Sequence, residues 1–198
     1  MAPPFFGDAK KVENLITMKL ILKQQQKVSE WSGGTTTELL ISPINATVGE
    51  QNFDFRISTA KVLVEKSEFT TYPSYNRKLA ILEGKLRIQH NQSDWYTLNA
   101  GEQTEFKGEW ETRSEGQVVD FNVIYKDCFA VEVESVPELN LIDLNTSNVL
   151  IGIYCVKGSL QIDNILLNVG DFIQVNGFVK HIESAKDSLF VKVIIFKL

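Results

Sequence analysis

Leu82-Glu83-Gly84-Lys85-Leu86-Arg87-Ile88, followed by Leu98-Asn99-Ala100-Gly101-Glu102, returns as Val156-Lys157-Gly158-Ser159-Leu160-Gln161-Ile162, followed by Leu167-Asn168-Val169-Gly170-Asp171. The first glycines of the two copies lie 74 residues apart and the second glycines 69, so the strand pattern is kept while the loop between shortens by five. In each copy apolar and polar residues alternate as in a half-buried strand, and glycine stands where a tight turn calls for positive φ. The chain therefore reads as all-β, built from two related units.

Its 198 residues suffice for two units of about 90 to 100 residues, each able to bury a core. Further alternating stretches, Phe53 to Ser58 and Asp120 to Val123, read as strands, and Val191 to Phe196 is a more continuously apolar one. No long amphipathic helix is expected. Residues 1–17 read as a loose extension, 18–128 as the first barrel, 129–142 as a connection and 143–198 as a second, smaller barrel completed by strands from the N-terminal half. The 20 basic and 25 acidic side chains are spread along the chain with no basic stripe, which argues against nucleic acid as a partner. No apolar run is long enough to span a bilayer and no secretory leader is evident, so a soluble cytoplasmic protein is expected, with no membrane partner. Cys128 and Cys155 have no metal-ligand spacing and read as buried free thiols. Open sheet edges make a homodimer one way to cover them.

The repeat resembles the cupin barrel, which implies two jelly-roll barrels in one chain, a bicupin. In metal-dependent cupins a glutamate lies seven residues before the first repeat glycine and a histidine eleven residues after the second. Here those positions hold Arg77 and Thr112 in the first copy, Ile151 and His181 in the second. A single histidine cannot hold a divalent metal, so no metal and no other cofactor is expected. His181 reads as a mouth or core histidine bonded to a carbonyl, and His90 as a loop side chain. Arg77 stands where a metalloenzyme has a carboxylate. Buried, it must be paired or meet an anion, and its planar fork suits a carboxylate or phosphate.

Period-two alternation places Arg56 and Ser58 on the face of their strand opposite Phe55 and Ile57, and Asp120 and Asn122 share a face of theirs. Trp31-Ser32-Gly33-Gly34-Thr35-Thr36-Thr37 reads either as a turn into a strand or, less strongly, as a cradle of N–H groups and hydroxyls for an oxyanion. With Phe69-Thr70-Thr71-Tyr72-Pro73-Ser74-Tyr75-Asn76-Arg77 and Phe106-Lys107-Gly108, these segments follow one another as in the HutD/Ves family, which the chain resembles over roughly residues 18–126. Ser32 and Ser74 depart from the family pattern, which often has asparagine before the glycines and glycine after the proline. The resemblance implies a pocket in the first barrel lined by Trp31, Thr36, Arg56, Ser58, Arg77, Asp120 and Asn122, with the arginines addressing a small carboxylate metabolite. It also implies an accessory or regulatory role in histidine utilisation or stress, with urocanate or formylglutamate as fitting anions. Two other readings stand beside it: Arg56 and Arg77 paired with Asp120 and Glu83 as barrel struts, and a metal-independent isomerase or hydrolase using Asp120, Tyr75 or His181 as acid or base.

Overall fold

A computed structural model describes residues 17–139, 149–176 and 179–198. The strands of its first half, apart from β1, are β2 (Lys27–Trp31), β3 (Gly34–Ser42), β4 (Phe55–Val62), β5 (Lys66–Glu68), β6 (Tyr75–His90), β7 (Tyr96–Asn99), β8 (Gln103–Lys107), β9 (Thr112–Glu115) and β10 (Val118–Lys126). The others are β1 (Thr17–Ile21), β11 (Phe129–Val136), β12 (Val149–Lys157), β13 (Ser159–Ile162), β14 (Ile165–Asn168), β15 (Phe172–Asn176), β16 (Ile182–Ser184) and β17 (Leu189–Lys197). No α-helix occurs among the described residues; one short 3-10 turn spans Lys23–Gln25.

The internal repeat is a repeat of strand pairing. In the first half β6 pairs β10 and β8 through its first part and β7 and β9 through its second, and β4 lies on the far side of β10. In the second half β12 pairs β17 and β15, β13 pairs β14 and β16, and β11 lies on the far side of β17. The glycines that mark the repeat set its bends: Gly84 has φ 88° inside β6, and Gly158 has φ 79° between β12 and β13. Gly101 N–H donates to the Ile81 carbonyl at 2.8 Å and Gly170 N–H to the Cys155 carbonyl at 2.8 Å, three residues before the first glycine in both copies. The acid after each second glycine then accepts from an asparagine N–H, Asn99 to Glu102 at 2.6 Å and Asn168 to Asp171 at 3.0 Å.

Two expected segments pair with the second sheet. Residues 129–136, expected as part of a connection, form β11, which pairs β17. Residues 18–21 leave the first barrel, because β1 pairs β15 and forms the edge of the second sheet. Neither partner is visible locally, since both pairings are long-range. The expected extension, apart from Thr17, and residues 140–148 of the connection and second barrel lie outside the described residues.

Alternation along each strand divides the side chains between two layers. Phe55 and Ile57 of β4 and Phe121, Val123 and Tyr125 of β10 face Val131 and Val133 of β11, Phe172 of β15 and Val191, Val193 and Ile195 of β17, in one core between the sheets. The opposite face of the second sheet buries Ile151, Ile153, Cys155, Ile173, Val175 and Phe190 in a separate core. Burial on both faces explains the near-continuous apolar run of β17. Cys155 is buried as expected; Cys128 is exposed, contrary to expectation, because it follows the β10 end at the surface turn.

Candidate ligand-binding site

On the face of β4, β6 and β10 opposite this shared core, polar Arg56, Ser58, Arg77, Asp120 and Asn122 stand among apolar Leu79, Ile81 and Ile124. Register aligns Asn122 of β10 with Ser58 of β4 and Leu79 of β6, Asp120 with Ala60 and Ile81, and Ile124 with Arg56 and Arg77. β3 extends the rows, with Glu38 opposite Ser58 and Thr36 opposite Ala60. The result is a cavity of about 390 Å³ lined by Trp31, Thr36, Arg56, Ser58, Arg77, Asp120 and Asn122 among others. These side chains, expected together from sequence, are thus brought to one space.

The two arginines differ in how they are held. Arg56 donates through Nε to Glu38 Oε2 at 2.8 Å, and both side chains are largely buried. Arg77 is 4% exposed and has no carboxylate within ion-pair distance among the described residues; its Nη1 donates to the Thr70 carbonyl at 3.2 Å. Aromatic rings surround it instead, with its guanidinium carbon 4.7 Å from the Phe69 ring centre, 5.3 Å from Phe106 and 5.8 Å from Tyr72. A desolvated cation over such rings gains roughly 2 kcal/mol per good contact, less than the loss of water costs it. Burial accordingly pulls its pKa down to about 10, although Tyr72 and Asp120 act to raise it.

Asp120, 4% exposed, is pushed up to about 7 by burial, which outweighs the opposing effects of Arg77 and an Ala60 N–H. Buried polar atoms are nearly always hydrogen-bonded. Of the four buried side-chain atoms without a partner among the described residues, three belong to this cavity's lining: Arg77 Nε, Asp120 Oδ1 and Asn122 Oδ1.

The strut reading is corrected in detail: Arg56 pairs with Glu38, Glu83 is exposed, and Asp120 makes no ion pair with either arginine. Glu38, Phe69, Thr70, Tyr72 and Phe106 are the holders of the arginines that sequence reasoning did not select. Glu38 was detectable as the residue two beyond Thr36 on the same face of β3. The paired glycines serve packing: a Cβ on Gly33 would lie 2.0 Å from the Trp31 ring and one on Gly34 2.0 Å from the Lys61 carbonyl oxygen. Ser74 sits at φ 68°, the left-handed conformation that the family's glycine adopts without strain.

The other acid–base candidates lie elsewhere. Tyr75 OH is committed to the carbonyls of Gln51 at 2.6 Å and Phe53 at 2.7 Å. The His181 side chain is largely exposed, 3.7 Å from Glu183, and bonds no carbonyl among the described residues. His90 is buried rather than a loop side chain: its ring bonds Thr112 Oγ1 at 2.8 Å and Tyr96 OH at 2.9 Å, because β6 runs long enough to carry it under Trp110. Among the described residues no group of three or more His, Cys, Asp and Glu is placed to hold a metal ion, and the arginines would repel a cation, so these residues do not fit the cupin metal.

Strand pairing and topology define an all-β protein of the cupin class. The HutD family model matches residues 23–182, and the chain belongs to that family. A conserved protein of unknown function from Pseudomonas aeruginosa is similar in structure, with TM-score 0.73 and 18% identity over 91% of this chain and 100% of that one. HutD from Pseudomonas fluorescens gives TM-score 0.70 and 18% identity over 91% and 97%. An oxalate decarboxylase of Bacillus subtilis gives TM-score 0.59 and 10% identity over 90% and 76%. No curated protein matches the sequence. No helix among the described residues is long and apolar enough to cross a membrane.

Proposed function

We propose that the first barrel binds a small carboxylate metabolite without a metal, and that the protein acts as an accessory or regulatory factor related to histidine utilisation or stress. One observation carries this reading: Arg77 is a buried guanidinium, against a cavity, with no carboxylate of the described residues paired to it. An uncompensated buried cation is costly, and a carboxylate ligand supplies the missing counter-charge in bidentate geometry. Arg56, already neutralised by Glu38, supports the wall and leaves Arg77 as the buried cationic receptor. Trp31 forms an apolar side, and Asn122 with Asp120 offers polar contacts for the rest of the ligand.

The link to histidine utilisation rests on the HutD family, which makes urocanate and formylglutamate natural probes. The Pseudomonas fluorescens HutD structure was obtained in a formate condition, and formate is the smallest carboxylate to include. The test is thermal stabilisation by these three compounds. The expected result is a concentration-dependent rise in melting temperature for the wild type, reduced for Arg77→Lys and lost for Arg77→Ala. Equal shifts in all three proteins, or no shift with any anion, would reject the assignment.

A second reading, a metal-independent enzyme, is favoured by one fact: Asp120, at about 7, has the proton affinity of a general acid or base and lines the same cavity. Turnover of a stabilising compound that disappears in Asp120→Asn would establish it.

A further inference from the structure

The largely buried ionisable side chains that line the cavity, among the described residues, are two guanidiniums and two carboxylates. Arg56 of β4 is neutralised by Glu38 of β3, and Arg77 of β6 faces the same space as Asp120 of β10 without an ion pair between them. The remaining ionisable side chains lining that space are Lys27 of β2 and Glu68 of β5, both exposed, and the phenol of Tyr72. A carboxylate arriving at Arg77 therefore leaves the interior with one negative charge too many.

We infer that the cavity takes up its carboxylate together with one proton, and that Asp120 carries that proton in the bound state. This rests on the carboxylate reading above and adds to it a rule for when the ligand is held. The hydrogen-bond inventory points the same way as the charge count. Asp120 Oδ1 and Asn122 Oδ1 are both acceptors, on one face of β10, and neither has a donor. Protonation converts the Asp120 carboxyl from an acceptor-only group into one with a donor. Burial already holds that carboxyl near neutrality, so a second anion beside it is enough to keep it protonated well above pH 7.

The consequence is a site whose affinity follows pH. Below about pH 7 the free protein already carries the proton and the Kd for an ionised carboxylate is flat. Above it, each pH unit weakens binding up to about tenfold, because one proton must be taken from solvent for each ligand bound. Arg77, at about 10, stays charged through this range and does not contribute to the slope.

The experiment is calorimetry on the full chain with formate and propionate, both ionised from pH 6 to 8.5, with the pH 8 titrations run in HEPES and in Tris, neither of which offers a carboxylate or phosphate to compete for Arg77. The expected result is a buffer-dependent heat at pH 8 corresponding to uptake of close to one proton, with Kd weakening above pH 7. Asp120→Asn should lose the uptake and show a flat Kd, binding at pH 8 at least as tightly as the wild type. A wild type that binds with no buffer-dependent heat and a flat Kd overturns proton coupling and leaves the carboxylate site standing. No binding of either probe even at pH 6 rejects the carboxylate reading, and this inference with it. The wild-type heats decide the matter even if the variant does not fold.

Discussion

Asp120 is destabilising where it stands, and the sign of its effect on stability can be worked out. An unfolded aspartate titrates near 4 and the folded one at about 7, so between those values the folded state holds a proton that the unfolded state has lost. Unfolding free energy therefore falls as pH rises through this window, by at most about 1.4 kcal/mol per unit, and levels off above it. His90 acts in the opposite sense: burial, and more weakly Arg77, lower its pKa, so the stability it contributes is lost as pH falls through its folded value. A wild-type melting curve alone would mix the two. Asp120→Asn removes one of them, and its stability relative to wild type should grow by roughly 2 kcal/mol between pH 5 and pH 7.5, measured by urea unfolding at both pH values. A constant difference across that range would mean that Asp120 is ionised in the fold at pH 5.

The repeat glycines separate two reasons for being glycine. Gly101 has φ 89° with nothing within 4 Å of where a Cβ would be, while Gly158 has φ 79° and would place a Cβ 2.1 Å from Ser188 Oγ, a buried side chain. Gly101→Ala should cost about 1 kcal/mol from backbone strain alone, and Gly158→Ala clearly more, because Ser188 also bonds the Ala185 carbonyl at 2.7 Å and cannot swing away freely. Denaturant midpoints for the two variants check the order; equal losses would show that the Ser188 contact yields. These turns, and the polar faces of β4 and β10, were legible because φ and period-two alternation are local. The holders of Arg77 were not, because Phe69, Thr70 and Phe106 reach it from a loop and from β8. His90 departs from its loop-like sequence for a similar reason: a polar run marks the end of β6, and only the rings packed over it bury it.

The division of the molecule was the least legible part, since β1 reads as the start of the first barrel and β11 as a connection until their partners β15 and β17 are known. Those pairings place the joint between the units inside a shared apolar layer. Phe55, Ile57, Phe121 and Val123 of the first half are buried by Val131, Val133, Phe172, Val191 and Val193 of the second, and Gly152 is glycine because a Cβ there would meet the Phe172 ring at 2.4 Å. At roughly 25 cal/mol for each Å² of apolar surface exposed, uncovering that layer costs more than a small barrel has to spare. Residues 22–128 made alone should therefore be insoluble, or bind a hydrophobic dye strongly, although they contain the whole candidate site. Residues 129–198 alone should fare no better, and co-expression of the two pieces should recover soluble complex. A soluble 22–128 fragment with a cooperative melt and no dye binding would show that the first barrel closes without its neighbour.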